Sequence, residues 1–181
     1  MFVAQGGYTF ADAWATPRLG FEYSYSSGDS NPTNKTHETF DNLFPTNHKF
    51  YGYMDFISLQ NIHDVRGIFQ LKPTPRLSLA VEGHAFWLAD THDNFYNVGG
   101  APRGGLTTTP THNGYGINPT YDSFLGTELD IVGGYALSRN TQVEIGYGHF
   151  FTGSYIESSL SAATHGSRDA DYLYLQTVIN F

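Results

Sequence analysis

Seven stretches of this chain alternate apolar and polar residues with a period of two, and in the middle five the polar side carries charge. In "RLGFEYSYS", Leu19, Phe21, Tyr23 and Tyr25 oppose Arg18, Gly20, Glu22 and Ser24. In "DVRGIFQLK", Val65, Gly67, Phe69 and Leu71 oppose Asp64, Arg66, Ile68, Gln70 and Lys72. "LSLAVEGHAFWL" sets Glu82 and His84 against Leu79, Val81 and Trp87. "GTELDIVGGYAL" sets Glu128 and Asp130 against Leu129 and Ile131, and "QVEIGYGHFF" sets Glu144 against Val143 and Ile145. "FVAQGGYTF" at the start and "DADYLYLQTVINF" at the end alternate in the same way. A period of two is the signature of a β-strand with two unlike faces. A dry core would charge several kcal/mol for each unpaired ion on the polar face. A water-filled interior removes most of that penalty. The expectation is therefore an antiparallel transmembrane β-barrel: apolar side chains toward lipid, charged side chains toward a lumen, each strand near the 9–11 residues that cross a bilayer.

The connections support this. "PTPR" and "SRNT" are tight turns and "ADAWATP" is short, whereas roughly 27–61, 90–123 and 154–168 read as long polar loops. Short turns at one end and long loops at the other describe an outer-membrane barrel with long extracellular loops. Tyr23, Tyr25, Trp87, Tyr147 and Phe151 then fall near the loop end of the apolar face, and Phe10, Tyr135 and Phe181 near the turn end, as two aromatic girdles.

Composition narrows the function. The net charge of −8 argues against general nucleic-acid binding, which needs a basic face. With no Cys, disulfides and thiolate metal sites are excluded. Mean hydropathy is −0.33 and no run approaches the roughly 20 apolar residues of a membrane helix. "MFVAQGGYTF" lacks the basic and apolar regions of a signal peptide and reads as mid-strand. Residues 1–181 thus read as one domain: an incomplete barrel fragment of about seven strands, its signal peptide and N-terminal strands absent. Seven strands leave two open edges, so closure calls for those further strands or another copy of the chain.

The pore-lining residues expected from the alternation are Arg18, Glu22, Arg66, Gln70, Glu82, His84, Glu128, Asp130 and Glu144. Pairing across "PTPR" places Arg66 opposite Glu82 or His84, so one ion pair is expected there. Replacing Glu82 and Asp130 by Lys is expected to shift ion preference toward anions. The segment 40–56 reads as an ordered loop that folds in and narrows the pore. Phe40, Phe44, Phe50, Tyr51 and Tyr53 are its expected anchors, and Asp41, Asn42, Asn47, His48 and Asp55 its polar groups.

No catalytic or cofactor motif stands out. The eight His residues lack zinc-site spacing, and no G-x-S-x-G elbow or P-loop occurs. "VGGAPRGG" reads as a flexible loop. Glu82 and His84 share a face, but Ser78, the same-strand candidate nucleophile, lies too far along to complete a hydrolase site. No metal, cofactor or catalytic residue is assigned, and a channel rather than an enzyme is expected. Two alternatives stay open: an outer-membrane structural or adhesion barrel without transport, and a soluble β-sandwich binding module.

The segments "FDNLFPTNHKFYGYMDF" and "NIHDVRGIFQLKP" are distinctive. They resemble the alginate-export family of outer-membrane β-barrels, where a similar F-D-x-L-F-P-T-N-H-x-F-x-G-x-M-D segment precedes the last strands. "LSLAVEGHAFWLAD", "TELDIVGGYAL", "VEIGYGHFF" and the terminal Phe also fit. The resemblance runs from about residue 16 to 181 and corresponds to the C-terminal portion of longer family members. It implies passive export or passage of a polysaccharide or other polar solute through the outer membrane of a Gram-negative bacterium, with membrane lipid as the surroundings. The alginate exporter itself has a pore rich in basic residues. Here Arg18, Arg66 and Lys72 stand against Glu22, Glu82, Glu128, Asp130 and Glu144. Either strands outside this chain supply the basic wall, or the cargo is less anionic than alginate; the family indicates architecture more than substrate.

Overall fold

A computed structural model of the chain describes residues 1–45, 48–104, 115–163, 166 and 168–181. Seven strands form one antiparallel sheet in simple sequence order: β1 (Phe2–Thr9), β2 (Arg18–Ser26), β3 (Ile62–Thr74), β4 (Leu77–Leu88), β5 (Phe124–Ala136), β6 (Thr141–Thr152) and β7 (Ala170–Ile179). All neighbours pair antiparallel, and β1 and β7 are the open edges of an unclosed sheet. An up-and-down meander of this kind is an incomplete barrel wall, as the alternation predicts.

The register keeps the two faces separate across every strand pair. Phe21 lies across from Gly67, Phe69 from Val81, Val81 from Ile131, and Ile145 from Leu175. These apolar side chains remain uncovered, and Leu175 is 73% exposed. A contiguous apolar sheet face of this extent is far larger than the scattered exposure of a soluble monomer.

The tight turns follow from their residues. Thr74 Oγ1 accepts from the Arg76 and Leu77 amides (3.3 and 3.0 Å), while Pro73 and Pro75 cannot donate to a ladder. At the other end lie the long connections. The segment 154–168, expected as loop, opens instead with α1 (Ser154–Ala162). The chain is short and rich in Ser here, which hides the helix. Tyr155 and Ile156 nonetheless turn inward together, with Leu160 one helical turn on packed against the same core.

The opposite face of the sheet is covered at its loop end. Ile57, Leu59, Ile62, Phe86, Leu125 and Phe150 form a buried core there with Tyr155 and Ile156 from α1. A bulge in β5 contributes to it. Phe86 pairs with Gly126 and Trp87 with Phe124, leaving Leu125 as the extra residue. Leu125 turns fully inward, and Phe124 packs beside Trp87 on the apolar face, with ring centroids 5.5 Å apart.

Candidate functional site

The charged residues of the covered face form a row directly across four strands. Glu22 of β2 faces Arg66 of β3, Arg66 faces His84 of β4, and His84 faces Glu128 of β5. Beside the row, Glu82 faces Asp130. The expected ion pair forms, with a diagonal offset: the Arg66 guanidinium donates to Glu82 through Nε (3.0 Å) and again through Nη2. Glu22 lies 3.9 Å away on the other side of the same guanidinium. His84 turns to Asp64, its Nδ1 3.0 Å from Oδ1. The Glu82 and His84 couple considered as an acid and base is therefore split between two other partners.

The remaining expected wall residues lie apart. Glu144 of β6 sits toward the turn end, where it accepts from Lys49 Nζ (3.2 Å) and the Tyr174 hydroxyl (2.8 Å). Arg18 and Gln70 pair with each other nearer the turns and are exposed; Arg18 donates to Thr9 Oγ1 (3.2 Å).

The wall expected to face water is largely roofed. Asp130 is 0% exposed and Glu128 1%. The roof is the chain from His48 to Asn61. The Met54 amide donates to Glu128 Oε1 (2.9 Å), which ties the segment to β5. Tyr53 is buried, stacked on Tyr174 of β7 with centroids 5.9 Å apart and planes 12° apart. Met54 lies over Gly148, where a Cβ would come within 2.9 Å of its side chain. Burial is the main reason the Tyr51 phenol is pushed up to about 12, with Glu22 and Asp64 adding to it. Burial, then Glu82 and Glu144, raises Tyr53 as well. Both phenols remain neutral against the carboxylate wall at ordinary pH.

The segment reaches this place through unusual backbone. Lys49, Asp55 and Asn61 have φ of 70°, 57° and 52°, and Gly52 has φ of 88°. At Gly52 a Cβ would lie 2.5 Å from the Glu128 carboxylate on a left-handed backbone, so any side chain there must displace that carboxylate and bear strain. His48 Nδ1 lies 3.1 Å from Asp55 Oδ2, bracing the segment across seven residues.

The expected anchors are only partly those observed. Phe40 and Tyr51 pack against the core and Tyr53 is buried, but Phe44 is 87% exposed and Phe50 also points away. Asp41 is exposed and Asn42 half-buried, both before the chain turns inward, and Asn47 lies outside the described residues. Of the polar groups named for this segment, His48 and Asp55 are the ones placed in its inserted part.

Sequence reasoning missed the residue that holds the loops together. Asp93, nearly fully buried, accepts four hydrogen bonds. Oδ1 takes the Asn94 amide (2.6 Å) and the Tyr96 hydroxyl (2.9 Å). Oδ2 takes the Thr39 hydroxyl (2.6 Å) and the Asp29 amide (2.9 Å). Asn61 joins the same loops, donating to the Asp90 and Asn94 carbonyls and accepting from the Asp90 amide. An Asp in a polar loop carries no sequence mark of this role.

Toward the turn end the covered face opens into a groove of about 690 Å³, with Lys49, Lys72, Arg76, Gln142, Glu144 and Gln176 among its walls. Among the described residues no cluster of acidic and His side chains has the arrangement of a metal site. The family model for alginate export matches residues 1–168. No curated protein matches the chain.

Proposed function

The chain belongs to the alginate-export family of outer-membrane β-barrels, and from that premise we propose that it forms part of the wall of a porin-like channel. The channel carries a polysaccharide or another polar solute passively across the outer membrane of a Gram-negative bacterium. The observation that carries this reading is the division of the sheet. One face is apolar and uncovered, while the other holds the Glu22, Arg66, His84 and Glu128 row beneath an inserted segment. Lipid suits the first face, and a polar passage suits the second.

In this reading residues 48–56 are the constriction, and the groove lined by Lys72, Arg76 and Gln142 is its periplasmic mouth. Further strands, or a second copy, pair with β1 and β7 to close the wall. No covalent step is involved. Glu82 is engaged by Arg66, His84 by Asp64, and the Ser78 hydroxyl by the Gly134 carbonyl (3.4 Å).

A second reading, a structural barrel without transport, draws on the apolar core that fills the loop end of the covered face. Single-channel recording in planar bilayers separates the two. The channel reading expects ion conductance, with Glu144→Lys shifting the reversal potential toward anions and Glu144→Gln shifting it less. Glu144 is the better position for this test than Glu82 or Asp130, because it borders the open groove and the other two are buried. Silent bilayers containing correctly folded protein would establish the plugged barrel instead.

A further inference from the structure

On the outer-membrane reading, we propose that a groove at the loop end of the apolar face binds the uncharged saccharide headgroup of a glycolipid. The groove is wide open, about 860 Å³, bordered by β2, β3 and β4 and by the two ends of the β4–β5 connection. Trp87 provides an aromatic wall, and the β5 bulge brings Phe124 against it. Tyr23 and His63 stand beside it, the Tyr23 hydroxyl 2.7 Å from His63 Nδ1. The β4–β5 connection adds Asp90, His92 and Asp122. Asp90 Oδ1 accepts from the His92 amide (2.8 Å) and lies 2.9 Å from His92 Nδ1, and Asp122 Oδ1 accepts from the Phe124 amide (3.2 Å).

This set of groups selects a sugar. A pyranose offers C–H faces that pack on aromatic rings and hydroxyls that donate to carboxylates and imidazole nitrogens. Among the described residues no Lys or Arg lines the groove, and two Asp residues do. A phosphate headgroup would meet two carboxylates, with the imidazoles of His63 and His92 as the basic groups beside them, His92 Nδ1 already 2.9 Å from Asp90 Oδ1. The position selects a lipid-borne sugar over the solute in the passage. The groove opens on the apolar face, and its floor at Val65 continues into the uncovered apolar surface of β3 and β4. A headgroup seated here leaves its alkyl chain lying on that surface, among the other lipid tails that cover it.

The chain has two Trp residues, Trp14 in an exposed turn and Trp87 in the groove. In a Trp14→Phe background, Trp87 reports the groove by its fluorescence. The protein is held in dodecyldimethylamine oxide micelles and titrated with dodecyl maltoside, which pairs an uncharged disaccharide with an alkyl chain. The expected result is a saturable change in Trp87 emission whose midpoint moves about tenfold in Asp90→Asn/Asp122→Asn. Tyr23→Phe, which removes the hydroxyl facing His63, is expected to move it less. Two results would overturn the proposal: the same response to maltose alone, which would make the site one for free sugar, or a response unaltered in the double Asn variant. Bilayer recording on the same preparation separates this proposal from the channel reading. Conductance without a saccharide response sinks the headgroup site alone, and a saccharide response from a silent barrel sinks the channel alone.

Discussion

Arg66 stands directly across the ladder from His84, yet its guanidinium is bonded to Glu82, two residues along the neighbouring strand. The offset lets one cation serve two carboxylates, since Glu22 approaches from β2, and it leaves His84 to Asp64. The Arg66 and Glu82 side chains are only 11% and 5% exposed. Removing one partner of a buried pair strands the other. Arg66→Met is therefore expected to destabilise the sheet by about 3–5 kcal/mol in denaturant melts. Combining it with Glu82→Gln should recover part of that loss, because the two positions act as one unit. Additive losses would show that the pair contributes nothing as a pair.

Gly52 is a close approach of the inserted segment to the wall. An added methyl group meets the Glu128 carboxylate and a left-handed backbone at once. Gly52→Ala is expected to lift residues 48–56 from β5, with a larger single-channel conductance and faster proteolysis between Lys49 and Asp55. An unchanged conductance would mean that the segment does not narrow the passage.

Asp93 joins the first and second long loops through four accepted hydrogen bonds. Hydrogen bonds to a charged acceptor contribute about 1.5–3 kcal/mol each, and orphaned buried donors add their own desolvation penalty. Asp93→Ala should thus open both loops while the strands persist. Amide exchange would rise at Asp29, Asn94 and the residues around them, with little change in the middle of β4 or β6. Protection retained at Asp29 would contradict this.

The raised Tyr51 phenol predicts an alkaline transition. A group whose folded pKa lies above its unfolded value stabilises fully below the unfolded value, near 10 for Tyr, and loses that contribution as pH rises through the folded value, about 12 here. The inserted segment should loosen across that window, followed by phenolate absorbance and by protease sensitivity. In Tyr51→Phe the absorbance step belonging to this residue is lost and the loosening moves to higher pH.

The strands and their faces were legible because period two leaves little freedom: a slip of one residue turns every charge toward the apolar side. Tight turns then fix the register, and Arg66 meeting a β4 partner follows. What escaped has no periodicity to betray it. The Leu125 bulge exchanges the faces of two residues without altering the pattern on either side. In the inserted segment hydrophobicity misleads: Phe44 is exposed, while Gly52 touches the wall because it is small and tolerates φ of 88°. The helix α1 follows the strands so closely, with so many Ser residues, that its inward face is only Tyr155, Ile156, Ser159 and Leu160.

The direct side-chain ties of residues 48–54 of the inserted segment lean toward one side. Its ties run to β5, β6 and β7 through Glu128, Glu144 and Tyr174, whereas every residue of β1 is exposed. A plug hung from one wall makes an eccentric passage. On the channel reading, a solute moves along the β1 side, nearer to the Glu22 end of the row than to Glu128. At about 0.15 M salt the field of a charge is screened over about 8 Å, so the rows nearest the gap dominate. The buried carboxyl groups under the roof, Glu128 and Asp130, then take no direct part in selecting the solute, whose shape is read on the far side.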